Sequence, residues 1–345
     1  MTVLVLTGCT SGLGARVLSR LVERLPAGSR IFAGYRSTTP PPALSSLPKD
    51  YVEWLPLDLS SLASVDHFAE QIRIQLGNNG AKIDCVLLNA ATWNTSFRST
   101  TVQDQEEAEV WAEEFVVNHL AQFRLVRKLL PLLSSSPSSD STRRGRIVFT
   151  SSSLQNSLPA QMTSVDKALS ILQDSNEQLS TARNRYASSK LLQSLSFYNL
   201  QWKLEKDHRE VDIVGVSPGF VPTTGLSRDS PWWQQLLMKW VIYYLPFCST
   251  EEQGTRKILE CVDYLLPSNP FPSTLDTQLD TETSSSRLVF HPPSLSPLQS
   301  KSTSRIYAEV RDLLRNDRGG EAGTNDWNRL MKKILVDIEV QSDTR

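Results

Sequence analysis

Continuous apolar runs recur at Thr2–Thr7, Arg30–Tyr35, Tyr51–Pro56, Ile83–Asn89, Arg146–Ser151 and Asp212–Ser217. Runs that do not alternate with polar residues suit strands covered on both faces. Between them, stretches near Ala15–Leu25, Leu62–Leu76, Ala108–Leu133 and Tyr186–Glu205 space their apolar residues as helices that bury one face do. Strand alternating with helix predicts an α/β fold: a doubly wound parallel β-sheet of about seven strands with helices on both faces. Arg287–His291 is the candidate seventh strand.

Three segments interrupt this rhythm and read as loops. Ser134–Gly145 is Ser-rich, Leu154–Arg185 is a polar insertion, and Ser268–Ser304 is rich in Ser, Thr and Pro. Helices are expected after the last of these, at Ser304–Leu314 and Asp326–Val340. With no internal repeat, the reading is one domain over 1–345: a core over about 2–265 and a C-terminal extension over about 268–345.

Composition narrows the function classes. The 36 basic and 37 acidic residues leave a net charge of −1, so no global field draws the chain to nucleic acid or acidic lipid. A small neutral ligand is the expected partner. Cys9, Cys85, Cys248 and Cys261 form no CxxC or Cys/His spacing, which predicts neither disulfides nor a metal site and fits a reducing compartment. The apolar N-terminus lacks the charged leader and cleavage site of a signal peptide and reads as the first strand. Pro231–Phe247 carries Gln234, Gln235 and Lys239 and stays below the ~20 apolar residues of a spanning helix. A cytoplasmic protein is the expectation.

The first strand ends in Thr7-Gly8-Cys9-Thr10-Ser11-Gly12-Leu13-Gly14 and leads into a helix. Glycines at such a turn let backbone approach a pyrophosphate, which then lies at the positive end of the helix dipole. Gly8, Thr10, Ser11, Gly12, Leu13 and Gly14 are therefore candidate nucleotide contacts.

The TGxxxGxG spacing resembles the short-chain dehydrogenase/reductase family, and further blocks follow in that family's order. The resemblance implies a Rossmann fold and a nicotinamide cofactor. Tyr35 stands where NAD-dependent members usually carry an acid, and Arg36 follows it; a guanidinium there can pair with a 2′-phosphate, implying NADP(H). Asp58 matches the position whose carboxylate accepts from the adenine amino group, beside Leu59, and could equally cap the next helix. Leu88-Asn89-Ala90-Ala91 matches the NNAG block in part: Asn89 and Ala90 agree, whereas Leu88 and Ala91 depart from it.

Tyr186-Ala-Ser-Ser-Lys190 is a YxxxK pair on one helix face. The family resemblance makes Tyr186 the acid/base and Lys190 the group that grips the nicotinamide ribose and favours the phenolate. It places the catalytic serine at Ser152, with Ser151 and Ser153 as near rivals. Asn118, in Phe-Val-Val-Asn-His-Leu, matches the fourth catalytic member, which distorts its helix and holds a water for proton relay. The adjacent His119 reads as structural. Ser217-Pro218-Gly219-Phe220-Val221-Pro222-Thr223 matches the PGxVxT block, so Pro218, Gly219, Val221 and Thr223 are further candidate cofactor contacts.

The expected reaction is carbonyl reduction or alcohol oxidation. The stretch between Ser152 and Tyr186 is long, as in the retinol-dehydrogenase-like and fungal ketosteroid-reductase-like branches, which implies a lipophilic steroid-, terpenoid- or polyketide-like substrate in fungal secondary or sterol metabolism. The aromatic segment about 224–247 reads as a substrate lid; an apolar helix face packed on the domain, or peripheral contact of 231–247 with an intracellular membrane, are the alternatives. A homo-oligomer through the Tyr186 helix would be ordinary for the family. A non-redox isomerase or cyclase and a cofactor-sensing binding protein are the rival functions.

Overall fold

The computed structural model describes residues 2–37, 44, 47–48, 50–77, 81–103, 108–134, 144–162, 164–207, 209, 211–219, 221, 250–263 and the strand 289–291. Its strands and helices alternate: β1 (Val3–Thr7), α1 (Gly12–Arg24), β2 (Arg30–Tyr35), β3 (Val52–Pro56), α2 (Leu62–Leu76) and β4 (Cys85–Leu88). A hairpin follows, β5 (Ser99–Gln103) and β6 (Ala108–Ala112), then α3 (Glu113–Phe115), a π-helical turn (Val116–Leu120), α4 (Ala121–Leu129) and a 3₁₀ turn (Leu130–Leu132). The second half contains β7 (Gly145–Thr150), a 3₁₀ turn (Ser153–Ser157), α5 (Val165–Gln173), α6 (Ala182–Lys206), β8 (Val211–Val216), α7 (Glu251–Asp263) and β9 (Val289–His291).

The main sheet has the order β3-β2-β1-β4-β7-β8-β9, and all its neighbours are parallel. The doubly wound parallel sheet expected from the sequence is thus present. Alternation along each strand divides the apolar residues between two layers. Val3, Val5, Val86, Leu88, Ile147 and Phe149 pack under α2, α4 and α6. Leu4, Leu6, Cys85, Leu87 and Val148 pack under α1 and α7. Because both faces are covered, all five residues of β1 and all four of β4 are buried.

The structure corrects several boundaries. The helix read over Ala108–Leu133 begins only at Glu113; Ala108–Ala112 is instead a strand paired antiparallel with Ser99–Gln103, burying Val102 and Trp111. The polar insertion Leu154–Arg185 contains α5, which Ser164 caps by accepting from Lys167 N, and which buries Val165, Ala168, Leu169, Ile171 and Leu172. The helix that carries Tyr186 begins earlier, at Ala182. Residues 224–247, the helices expected at 304–314 and 326–340, and the extension from 268 onward, β9 excepted, lie outside the described residues. No helix among the described residues is long and apolar enough to cross a membrane.

Candidate active site

The glycine turn is shaped by contacts that exclude a side chain. Gly8 has φ +63°, and a Cβ there would lie 2.5 Å from Ala90 Cα. A Cβ at Gly14 would collide with the Gly8 carbonyl oxygen and the Asn89 amide. The turn therefore lies tight against the tip of β4, with Leu13 and Gly14 buried and Thr10 and Ser11 more open. Ser11 occupies the N-cap of α1 without a side-chain capping bond, and no acid stands in the first turn. The N–H groups of Gly12, Leu13 and Gly14 thus open a helix whose dipole favours an anion, as a dinucleotide pyrophosphate requires.

Asn89 ties together the C-terminal tips of three adjacent strands. Its Nδ2 donates to Gly8 O (3.0 Å) beyond β1, and its Oδ1 accepts from Thr150 Oγ1 (3.1 Å) at the end of β7. Ala90 N donates to Thr7 Oγ1 (3.3 Å). Ligands in open parallel sheets bind outside these strand ends, where the chain changes winding direction. Arg36 is exposed just past β2, free to meet a ligand there. Asp58 Oδ1 accepts from Ser60 N (2.9 Å) and Ser60 Oγ (2.8 Å). The alternative capping role falls to Ser61, whose side chain accepts from Ser64 N, so Asp58 is not the cap of α2. Leu59 buries its side chain in the core and presents only backbone.

Ser152 is the side chain that acts on the Tyr186 phenol, favouring its ionised form. Ser152 also accepts from Leu154 N (3.3 Å). Ser151, by contrast, is turned inward to Gln155 Oε1 (3.2 Å) and Ser194 Oγ (3.3 Å). Ser151 is thus committed to the interior, and Ser152 is the serine that acts on the tyrosine. Tyr186 is 5% exposed. Burial pushes its phenol up to about 12, against the opposing bond from Ser152. The lowered phenol expected from Lys190 is therefore corrected: desolvation dominates, and the tyrosine is protonated at neutral pH.

Lys190 is fully buried, and its Nζ donates to Thr150 O (2.7 Å) and Gln193 Oε1 (3.2 Å). Burial lowers its ammonium to about 7. Between about 7 and its ordinary range near 10.5, the unfolded chain binds the extra proton, so this residue makes folded stability rise with pH; below about 7 its full penalty is present. Lys190→Met removes that dependence. From pH 7 to pH 10, denaturant unfolding of the cofactor-free proteins should show the difference moving in the wild type's favour by a few kcal/mol. A difference that stays flat would contradict the assignment.

Asn118 sits in the π-helical turn, the local distortion expected of it. Its side chain is already engaged with protein: Oδ1 accepts from Thr92 N (2.7 Å), while Nδ2 donates to Thr92 O (3.0 Å) and Ser189 Oγ (3.0 Å). Two neighbours on the same helical run act alike. Gln122 Nε2 donates to Ala90 O (2.6 Å), and Glu114 Oε1 accepts from Asn94 N (3.2 Å). Arg185 Nη2 completes the set by donating to Asn94 O (3.0 Å), while its Nε lies 3.4 Å from Glu114 Oε1. Residues 114, 118 and 122 thus grip the backbone of 94, 92 and 90. Sequence reading missed Glu114, Gln122, Arg185 and Trp93; the i, i+4 spacing of polar residues in an otherwise apolar helix was the available signal. His119 is fully buried, its Nε2 2.8 Å from Ser196 Oγ, and burial lowers it to about 3, which keeps it neutral and structural.

Past β8, Gly219 adopts φ +88° beside Pro218. Val221 is buried and approaches Gly254 of α7. Thr223 lies outside the described residues.

A family model described as short chain dehydrogenase matches residues 2–164. A short-chain dehydrogenase/reductase of Pestalotiopsis microspora is 28% identical over 265 residues, which cover 75% of this chain and 81% of that protein. A short chain dehydrogenase of Aspergillus sclerotiorum is 32% identical over 238 residues, 64% of this chain but only 61% of the relative's length. Among solved structures, the NADPH-bound carbonyl reductase from chicken fatty liver is alike in fold, with a TM-score of 0.52 and 16% identity over 77% of this chain and 88% of that one.

Proposed function

This chain belongs to the short-chain dehydrogenase/reductase family, a family of oxidoreductases, and from that premise we propose that it interconverts a lipophilic ketone and its alcohol with NADP(H). The observation that carries the reading is that Ser152, just past β7, acts on the buried Tyr186 phenol, one helical turn from Lys190. In reduction, Ser152 holds the carbonyl oxygen and Tyr186, protonated at neutral pH, gives its hydroxyl proton to that oxygen. Lys190 Nζ, already placed at Thr150 O at the end of β7, orients the sugar beside the reacting carbon. The dinucleotide, when bound, supplies the hydride. The amides of Gly12, Leu13 and Gly14, with Asn89, Ala90, Ala91, Pro218 and Gly219, would hold it.

Arg36 supports NADP(H) over NAD(H), because an exposed guanidinium at the end of β2 can pair with a 2′-phosphate. The aromatic residues Trp232, Trp233, Trp240, Tyr243 and Tyr244 and the fungal relatives support a lipophilic substrate in fungal secondary or sterol metabolism. Loss of NADPH absorbance against a panel of lipophilic ketones tests the reading. One NADPH consumed per alcohol formed is the expected result, whereas product without NADPH loss would make the protein a non-redox catalyst. Arg36→Ala should weaken NADPH binding about tenfold and leave NADH binding unchanged, since a hydrogen bond to a charged group is worth roughly 1.5–3 kcal/mol. Equal affinity of the wild type for both cofactors would overturn the NADP(H) assignment.

A further inference from the structure

The backbone of residues 90, 92 and 94 is held at both its N–H and C=O groups, by Thr7, Gln122, Asn118, Glu114 and Arg185. Trp93 stands between two of the held residues. Its ring lies on Tyr186, with centroids 4.9 Å apart and planes inclined by 17°. The contact is doubly secured, because a neighbouring residue on each element is also joined: Asn94 O accepts from Arg185. Trp93 is only half-buried, so part of the indole stays open beside the buried phenol.

We propose that Trp93 is the specificity-determining residue of this site, a fixed flat wall that favours ketones set in planar conjugated rings over saturated ones of the same size. This rests on the reading that Tyr186 protonates a carbonyl. A phenol hydroxyl hydrogen lies in the plane of its ring, so the carbonyl that accepts it approaches close to that plane. The indole, almost parallel to the phenol with ring centroids 4.9 Å apart, bounds that approach on one side. A flat π-system meets such a wall face to face and gains a stacking contact. A saturated ring, whose tetrahedral carbons project out of the plane, meets it edge on or must tilt its carbonyl away from Tyr186 and Ser152. The clamps at 92 and 94 hold the wall in place, so it selects shape rather than adapting to it.

The test compares 1-tetralone, flat and conjugated, with trans-1-decalone, its saturated counterpart. Two measurements are made on the wild type, Trp93→Phe, Trp93→Ala and Trp93→Leu: kcat/KM with NADPH, and calorimetric binding of each ketone to the NADP⁺-saturated protein, where no reduction occurs. The wild type should prefer 1-tetralone, Trp93→Phe should keep the preference, and Trp93→Ala and Trp93→Leu should lose about tenfold of it. NADPH affinity should be the same in all four. Leucine fills volume without a flat face, so it reads the shape of the wall even where alanine unfolds the loop. An unchanged ratio in the leucine variant, no preference in the wild type, or no binding of either ketone would overturn the proposal. Selective binding of 1-tetralone without turnover would instead overturn the redox reading and leave the wall standing.

Discussion

Tyr186→Phe should abolish ketone reduction while leaving the protein folded and able to bind NADPH. Phenylalanine fills the same space against Trp93 and removes only the hydroxyl, with its proton and its interaction with Ser152. A positioned general acid contributes ~10²- to 10⁴-fold, and turnover should fall by at least that range. The fold should lose no more than about 1 kcal/mol, the ordinary net worth of one hydrogen bond. Single-turnover absorbance decay and NADPH titration by fluorescence read the two quantities separately. A phenylalanine variant that reduces ketones within tenfold of the wild type would remove Tyr186 from the chemistry.

The second large effect falls on stability. Arg185 and Glu114 are buried, with side-chain exposures of 3% and 0%. Among the described residues Glu114 Oε2 has no hydrogen-bond partner, and burial already raises the Glu114 carboxyl against the pull of Arg185. Arg185→Met leaves that carboxylate buried without its cation and frees Asn94 O and Ser180 O, which Arg185 also serves. Breaking a buried pair from one side costs about 3–5 kcal/mol. Adding Glu114→Leu should recover part of this, since no charge then remains buried. The pH dependence has a definite sign. With Arg185 gone, the Glu114 carboxyl rises further above its ordinary range, the folded chain binds the extra proton between those values, and stability falls as pH rises through them. Chemical denaturation should therefore find the Arg185→Met deficit larger at pH 8 than at pH 5, and a deficit independent of pH would argue against a buried charge as its cause.

The parts of this molecule that repeat a period were legible in the sequence. Arg30–Tyr35 and Leu62–Leu76 have the very limits that their apolar patterns predict, and the tips of the parallel strands bring Gly8, Asn89 and Thr150 together as the motif order implied. What stayed hidden depends on partners far along the chain. Ala108–Ala112 looks like a helix start until Ser99–Gln103, a polar strand, pairs with it. The grip of Glu114, Asn118 and Gln122 on the 90–94 segment is made by side chains on backbone, which leaves no hydrophobic signature. Two helices were missed despite local signals. Ser164 stands before the apolar spacing of α5, and Thr250 with Gln253 forms a reciprocal capping box at α7, Thr250 N donating to Gln253 Oε1 (2.9 Å) and Gln253 N to Thr250 Oγ1 (3.1 Å).

Helix α6 is buried at every residue from Asn184 to Phe197, on all sides of its axis. Sheet, π-helical turn and the insertion-borne α5 enclose it between them. Ile171 and Leu172 of α5 are among the side chains buried on this side of the domain. The insertion therefore adds, from within this chain, to the dry surroundings of Tyr186 and Lys190, and that burial should survive dilution.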